Sequence, residues 1–239
     1  MGEGVSDRMK KWLYRMLALC ALAAILMGWY VSGGYEASGD AAAAMQGSVN
    51  VGHAHEFVPD EIRGGLIFYP GGLVDHRAYA PLMQALRERG VLALLVQMPL
   101  DLAVLDMKAA DGLQALYPEV DRWLIGGHSL GGAMAAGYVS DYAAQYDGLV
   151  LLGAYSTADL SETTLSVLSV YGTQDGVLNH EKYENCRRHY PKDFREVVLE
   201  GGCHANFGDY GAQKGDGVPT VPREAQIAVT ADAIAALLE

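Results

Sequence analysis

Basic residues are scarce in this 239-residue chain, which has 17 Lys and Arg against 29 Asp and Glu and a formal net charge of −12. The first fifteen residues hold four of the basic residues, so the rest of the chain carries 13 basic against 27 acidic residues, a net charge of −14. Such an acidic surface repels the phosphates of nucleic acids and the headgroups of anionic lipids. Nucleic acid is therefore excluded as an expected partner.

Cofactor motifs, repeats and low-complexity tracts are also missing from the sequence. It has neither a phosphate-binding loop nor a paired-cysteine metal signature, so no cofactor or metal is expected. With 51% hydrophobic and 19% charged residues, the chain is long enough to bury one sizeable core. We expect one folded domain after the amino-terminal segment.

The longest uncharged apolar stretch runs from Met16 to Val31, and a basic cluster precedes it. It is shorter than the roughly 20 residues that span a bilayer comfortably. The order is nevertheless typical of a signal peptide or an uncleaved signal anchor, with a buried helix as the alternative. We predict a signal or anchor segment over 1–31, a linker over 32–47 and a folded domain over 48–239. That domain is expected to be membrane-anchored outside the cytoplasm, or secreted if the leader is cleaved.

The most informative stretch begins with the apolar residues Trp123-Leu124-Ile125 and continues as Gly127-His128-Ser129-Leu130-Gly131 before a helix-forming tract. This pattern predicts a strand, a sharp turn with Ser129 at its apex, and a helix. Side chains two residues on either side of the serine would collide across so tight a turn, and Gly127 and Gly131 remove them. The start of the helix directs free N–H groups toward the space above Ser129, which suits an oxygen that gains negative charge.

Apolar strand-like runs alternate with helical segments along the rest of the chain. After an exposed strand within 48–59, the strands are expected at 65–69, 91–97, 123–128, 149–153, 167–171 and 196–199, and the helices at 75–89, 133–146, 180–189 and 223–238. This alternation predicts an α/β fold with a mostly parallel central sheet and helices on both faces. The segment between 153 and 167 is too short for a large helical cap.

Four polar or glycine-rich segments directly follow predicted strands. They are Pro70-Gly71-Gly72, Ser129, Asp175 and Gly201-Gly202-Cys203-His204. In a parallel sheet the reactive edge is the one where the strands end. We therefore expect these segments to converge on that edge.

In these motifs the chain resembles the α/β-hydrolase superfamily of serine hydrolases, from about Ser48 to the carboxyl terminus. The resemblance rests on the Gly127–Gly131 motif, on Tyr171-Gly172-Thr173-Gln174-Asp175 and on Gly201-Gly202-Cys203-His204. The order Ser, Asp, His is the one that this fold uses. More narrowly, Tyr69-Pro70-Gly71-Gly72 and the stretch from His204 to Gly211 resemble bacterial membrane-attached α/β-hydrolases of unassigned substrate.

The resemblance and the chemistry of the residues imply a catalytic triad of Ser129, Asp175 and His204. His204 is expected to take the proton of Ser129, and Asp175 to fix the imidazole tautomer. The N–H of Leu130 and an N–H of the Gly71-Gly72-Leu73 turn, with that of Gly72 preferred, are expected to form the oxyanion hole.

Each assignment has a rival in the sequence. Asp159 also follows a strand and is the alternative to Asp175, which is favoured by its spacing from Gly172. His180 and His189 lie in a helical tract, whereas only His204 follows a strand through two glycines. His128 is expected to support the turn, because adjacent residues on a sharp turn point apart.

The expected function is cleavage of a small-molecule carboxylic ester through an acyl-enzyme. The preference for an ester over an amide comes from the resemblance and from the expected open site. Two alternatives are an acyltransferase that uses the same triad, which product analysis with an added alcohol acceptor would distinguish, and a catalytically inactive binding protein on the same fold.

Two cysteines remain once Cys20 is assigned to the predicted membrane segment. In an oxidising compartment, Cys186 and Cys203 are expected to form a disulfide that closes a loop of about 15 residues. Two separate buried thiols are the alternative.

Overall fold

The computed structural model describes residues 12–17, 19–21, 28 and 33–239. The chain divides into two compact units, Met1–Gly34 and Tyr35–Glu239. In the first unit, residues 12–17, 19–21 and 28 are helical and their side chains are exposed. The second unit contains all of the residues that the sequence analysis assigns to a site.

The membrane segment predicted over 1–31 lies mostly outside the described residues. Within the part of the chain that the structure describes, no helix has both the length and the apolar character needed to cross a bilayer. For these residues the finding contradicts the predicted membrane helix and the membrane-anchored location.

The second unit is built on a sheet whose strands are β1 (Val49–Val51), β2 (Ala54–Phe57), β3 (Gly64–Tyr69), β4 (Val91–Val96), β5 (Trp123–His128), β6 (Gly148–Leu152), β7 (Ser166–Gly172) and β8 (Phe194–Leu199). Their order across the sheet in residues 35–239 is β1-β2-β4-β3-β5-β6-β7-β8. The hairpin of β1 and β2 is antiparallel, and β2 is antiparallel to β4. Every adjacent pair within β3 to β8 is parallel, which confirms the mostly parallel sheet.

The strand register brings the ends of several strands to one edge. Tyr69 at the end of β3 pairs with Gly127 of β5, and His128 at the end of β5 pairs with Leu152 of β6. On the other side, Gly172 at the end of β7 pairs with Leu199 of β8. The turns that follow these strands therefore emerge at a common edge of the sheet.

Helices cover both faces of this sheet. They are α1 (Gly39–Ala44), α2 (Ala80–Arg87), α3 (Leu130–Tyr142), α4 (His180–Cys186) and α5 (Arg223–Ala235). Leu66 and Phe68 of β3 belong to the core cluster that α2 and α5 complete, whereas Ile67 and Tyr69 belong to the cluster that α3 completes. Because successive residues of β3 are buried on opposite faces, the strand is apolar throughout its length.

The carboxyl edge of the sheet lacks a large helical cap. Residues 153–165, which connect β6 and β7, contain no helix. The long connection between β4 and β5 contains only short 3₁₀ turns, at Pro99–Asp101, Ala103–Leu105 and Gln114–Leu116. The expectation of a fold without a large cap is confirmed for residues 35–239.

The segment predicted as a linker is partly folded onto the second unit. Ser38 caps α1 by accepting the N–H of Ala41, whose side chain is fully buried. The side-chain amide of Gln84 in α2 donates to the carbonyl oxygen of Ala44 at 2.9 Å. The folded unit therefore begins upstream of residue 48.

The predicted disulfide between Cys186 and Cys203 is wrong, because both residues are free buried thiols. Cys186 ends α4, whose Tyr183 hydroxyl donates to Ser169 on the face of β7 that carries Val167. Cys203 belongs to the core cluster of the opposite face. The sheet separates the two thiols, and a separation along the chain of about 15 residues does not reveal this.

Candidate active site

Ser129 lies in a strained turn between β5 and α3. Its backbone has φ 52° and ψ −122°, a positive φ that residues with side chains rarely adopt. The N–H of Ser129 donates to the carbonyl oxygen of Leu152 at 2.9 Å, which ties the turn to β6. Such a conformation costs about 1–3 kcal/mol and persists only where the surrounding structure enforces it.

Two glycines provide the space that this turn needs. A Cβ at Gly131 would lie 2.2 Å from the carbonyl oxygen of Pro70, and a Cβ at Gly127 would lie 2.4 Å from that of Tyr69. Both oxygens belong to the backbone and cannot rotate away. The spacing of the two glycines around Ser129 therefore reflects backbone packed directly against backbone.

The turn after β3 leaves one N–H group available. The N–H of Gly71 donates to the hydroxyl of Tyr79 at 3.0 Å, and the N–H of Leu73 donates to the carbonyl oxygen of Asp101 at 2.8 Å. Among the described residues, the N–H of Gly72 has no hydrogen-bond acceptor. Of the three N–H groups in this turn, that of Gly72 is therefore the one free to bind a ligand.

This turn is packed against the start of α3. A Cβ at Gly72 would lie 2.8 Å from Cδ2 of Leu130. Leu130 is the first residue of α3, so its N–H has no partner within the helix. The two N–H groups predicted to form the oxyanion hole, those of Gly72 and Leu130, thus belong to residues that pack against each other beside Ser129.

The predicted acid and base form a buried pair. Nδ1 of His204 lies 2.8 Å from Oδ2 of Asp175, and 1% and 0% of their side chains are exposed. Oδ1 of Asp175 accepts the N–H groups of Val177 at 3.0 Å and Leu178 at 2.8 Å. Because an ionised carboxylate only accepts hydrogen bonds, the imidazole donates from Nδ1 and leaves Nε2 as its basic nitrogen.

Glycines at two neighbouring strand ends make room for this pair. A Cβ at Gly172 would lie 2.1 Å from the carbonyl oxygen of Gly202, just before the loop that carries His204. Gly153, at φ 52°, follows β6, and a Cβ there would lie 2.8 Å from Nδ1 of His204 and 3.1 Å from Oδ2 of Asp175. The imidazole and the carboxylate therefore fill the space that a side chain at position 153 would need.

The structure does not join Ser129 to His204 by a hydrogen bond. Nε2 of His204 is buried and has no hydrogen-bond partner in the described part of the chain. Ser129 itself is partly exposed at the same edge of the sheet. Of the three predicted catalytic residues, the structure thus brings Asp175 and His204 into contact and leaves Ser129 unpaired.

His128 connects the base to the turn after β3. Its ring centroid lies 4.3 Å from that of His204, and its Nδ1 lies 2.7 Å from the hydroxyl of Tyr79. In the tautomer of His128 that carries its proton on Nε2, the Tyr79 hydroxyl accepts the N–H of Gly71 and donates its own proton to Nδ1. Burial, and next the proximity of the His204 ring, hold the pKa of His128 well below its usual value. His128 is therefore a neutral imidazole.

The rival residues lie apart from the buried pair. Asp159 is exposed, and its Oδ1 accepts the N–H of Ser161 at 3.0 Å, a bond that lowers the pKa of Asp159. His180 is exposed, and its Nε2 lies 3.4 Å from the backbone oxygen of Asp175, not from its carboxylate. Nε2 of His189 lies 3.3 Å from Nε of Arg188. None of the three enters the Asp175–His204 pair.

Two residues that hold this site together are not among the predicted site residues. One is Tyr79, which binds both Gly71 and His128; its only signal is an aromatic residue in a predicted helix. The other is Asp216, whose carboxylate accepts N–H groups from the segments on either side of the buried pair. Its signal is the sequence Gly215-Asp216-Gly217, which resembles an ordinary surface turn.

A comparison with protein families identifies the family of this chain. The sequence model of the alpha/beta hydrolase family matches residues 65–228, which is more than half of the chain. The chain therefore belongs to the alpha/beta hydrolase family, and hydrolysis is the class of reaction that this membership supports. No curated protein matches the chain.

Solved structures show the same fold at low sequence identity. The esterase domain of a Rhodothermus marinus protein has a TM-score of 0.58 and 14% identity, covering 77% of this chain and 90% of its own. Est1E from Butyrivibrio proteoclasticus has a TM-score of 0.58 and 15% identity, covering 80% and 97%. Dienelactone hydrolase from Anabaena variabilis has a TM-score of 0.56 and 16% identity, covering 78% and 94%. Identities this low establish the shared fold alone.

Proposed function

We propose that the protein is a serine hydrolase that cleaves carboxylic esters through an acyl-enzyme. In this proposal Ser129 is the nucleophile, His204 the general base and acid, and Asp175 the residue that orients the imidazole. The observation that carries the proposal is the buried 2.8 Å contact between Asp175 and His204 at the same sheet edge as Ser129. A strained serine, a paired imidazole and a buried carboxylate together match the requirements of nucleophilic catalysis.

The first step forms the acyl-enzyme. Oγ of Ser129 attacks the ester carbonyl carbon while Nε2 of His204 takes its proton, and the carbonyl electrons move onto the oxygen. When the tetrahedral intermediate collapses, the C–O bond to the alcohol breaks and His204 returns the proton to the leaving oxygen. A water molecule then repeats these steps on the acyl-enzyme, which releases the acid and restores Ser129.

The oxyanion of the intermediate needs preset donors. We assign them to the N–H groups of Leu130 and Gly72, because the other N–H groups of the turn after β3 already have acceptors. The positive end of the α3 dipole adds to their effect. Each such donor is typically worth about 3 kcal/mol of barrier lowering.

The contact between Ser129 and His204 is expected to form when substrate binds. Catalytic hydrogen bonds are often long or misaligned without substrate and shorten in the Michaelis complex. The unpartnered Nε2 of His204 is consistent with this, because Nδ1 is already engaged by Asp175. The proposal thus requires the hydroxyl of Ser129 to come within hydrogen-bond distance of Nε2, with the buried pair unchanged.

Esters are favoured over amides on two grounds. The structural neighbours named above include an esterase domain and a dienelactone hydrolase, and the absence of a large cap over residues 35–239 leaves the site open to small substrates. The length of the acyl group is a matter for measurement.

A labelling and turnover experiment tests the proposal. The full chain is treated with a fluorophosphonate probe and assayed with p-nitrophenyl esters of increasing acyl length. We expect labelling at Ser129 and turnover of at least one ester, both abolished in Ser129→Ala. Ser140→Ala is the matched control, since Ser140 lies later in α3, where its hydroxyl donates to the carbonyl oxygen of Gly137, and it should label normally. A wild-type chain that neither labels nor turns over any ester would refute the proposal.

A further inference from the structure

The carboxylate of Asp216 gathers N–H groups from both sides of the buried pair. Oδ1 accepts the N–H of Gly176 at 3.1 Å and that of His204 at 3.1 Å, and Oδ2 accepts the N–H of Ala205 at 2.8 Å. Gly217 adds a fourth N–H at 2.9 Å on Oδ1. Gly176 directly follows Asp175, so one side chain binds the backbone next to the acid and the backbone of the base.

The loop around Asp216 fits closely against the turn that carries Asp175. A Cβ at Gly176 would lie 2.4 Å from the carbonyl oxygen of Gly215, and a Cβ at Gly217 would lie 2.2 Å from that of Gln174. The N–H of Gly217 also donates to Gln174 O at 3.1 Å. Backbone therefore packs against backbone on both sides of Asp216, which leaves its carboxylate little freedom to move.

The carboxylate of Asp216 accepts more N–H groups than the aspartate of an ordinary turn does. Asp159, on the exposed surface, accepts a single N–H from its own turn, that of Ser161. Asp216 instead joins Gly176 and His204, which lie 28 residues apart in the sequence. Gly176 lies 40 residues from Asp216, and His204 lies 12 residues from it. Hydrogen bonds to an ionised acceptor are also the shorter and stronger kind.

We propose that Asp216 is a positioning residue that sets the separation of Asp175 and His204. This inference rests on the proposed function. Asp216 does not contact the reacting atoms; it acts through the backbone on either side of the pair. Because displacing a catalytic group by about 1 Å costs roughly 10²-fold in rate, a tie of this kind is expected to affect kcat more than KM.

Two variants of Asp216 and one control test the effect on rate. In Asp216→Ala the N–H groups of Gly176, His204 and Ala205 lose their acceptor, and we expect kcat on a p-nitrophenyl ester to fall by about 10²-fold with KM within about threefold. In Asp216→Asn a single oxygen replaces two, and its amide group would oppose the N–H of Ala205, so kcat should fall by about tenfold. Lys214→Ala is the control, because Lys214 is exposed in the same loop and, among the described residues, only its backbone N–H is bonded, to the Tyr35 hydroxyl.

A double-mutant cycle separates positioning from general stability. If Asp216 acts through His204, Asp216→Ala should cause no further loss of residual activity in a His204→Ala background. An equal loss in both backgrounds, or wild-type kcat in Asp216→Ala, would overturn the inference. If Asp216→Ala does not fold, the test is made with Asp216→Asn. An unchanged kcat in Asp216→Asn would also overturn the inference.

A spectroscopic readout keeps the inference testable if no ester is turned over. The Nδ1 proton of an imidazole bonded to a buried carboxylate gives a separate downfield proton resonance. We expect this resonance in the wild-type chain and in Lys214→Ala, and its loss or broadening in Asp216→Ala. An inactive wild type refutes the proposed function alone, whereas an unchanged resonance in Asp216→Ala refutes the positioning role.

Discussion

The two halves of the site are built by different means. The nucleophile half consists of Ser129 and the turn after β3, and backbone atoms in close contact hold it, with Gly127 and Gly131 leaving no room for a side chain. The acid–base half consists of Asp175 and His204, where carboxylates that accept N–H groups add to the backbone packing. Asp175 accepts those of its own turn, and Asp216 accepts those of two other segments. The first half should therefore fail when atoms are added, whereas the second should also fail when hydrogen-bond acceptors are removed.

The largest effect is expected from neutralising the acid of the acid–base half. Asp175→Asn should lower kcat by roughly 10⁴-fold, because the amide favours the wrong imidazole tautomer. The measurement is ester turnover on protein shown to be folded by circular dichroism. Asp159→Asn is the matched control and should leave kcat within about twofold, since Asp159 is exposed. A large effect at Asp159 with a small one at Asp175 would reverse the assignment.

A smaller effect should follow from adding one methyl group to the nucleophile half. Gly131→Ala would place a Cβ 2.2 Å from a backbone oxygen, and we expect the free energy of unfolding to fall by about 3 kcal/mol. Urea denaturation measures this. In Gly39→Ala, at the start of α1, the Cβ meets no atom within 4 Å, and stability should be unchanged or slightly higher. Equal stability of the two variants would contradict the steric account of this half.

The smallest effect concerns His128, which lies between the two halves. Its folded-state pKa lies well below the value of about 6.5 expected in the unfolded chain, so protons bind preferentially to the unfolded state as pH falls below 6.5. Stability contributed by neutral His128 is thus fully present above pH 6.5, and about 1 kcal/mol of it should be lost at pH 5.5.

Urea denaturation at pH 7.0 and pH 5.5 measures this loss. His128→Asn offers an oxygen to the Tyr79 hydroxyl in place of Nδ1 and does not titrate, so its stability should fall less over this interval. His180→Asn, at an exposed position that begins α4, is the control. If both variants lose as much stability as the wild type, His128 is not the source.

How much of the site the sequence predicts also differs between the halves. The turn that carries Ser129 could be predicted because its requirements are local: a strand, two glycines within five residues and a helix. The order of Ser129, Asp175 and His204 along the chain, together with the parallel sheet, indicated which residues lie at the same edge. By contrast, Asp216 could not be predicted, because its partners lie in other segments and only the folded chain brings them together.

The incorrect predictions have a similar cause. The pairing of Cys186 with Cys203 was inferred from compartment and chain separation, neither of which reveals that a sheet lies between the two residues. The membrane helix was inferred from hydropathy and position alone, and the described residues contain no helix of sufficient length. The mostly parallel sheet without a large cap, which needed only the order of strands and helices, was confirmed, whereas the disulfide, which needed the three-dimensional neighbourhood, was wrong.

The contact of the His128 and His204 rings has an electrical consequence for the proposed reaction. In the Nε2-protonated tautomer of His128, the Tyr79 hydroxyl occupies the lone pair through which the ring would take up a second proton. When the ring of His204 becomes cationic in the proposed reaction, it therefore meets a neutral ring 4.3 Å away and not a competing positive charge. Of the two buried imidazoles, only that of His204 therefore takes up a second proton in the proposed reaction.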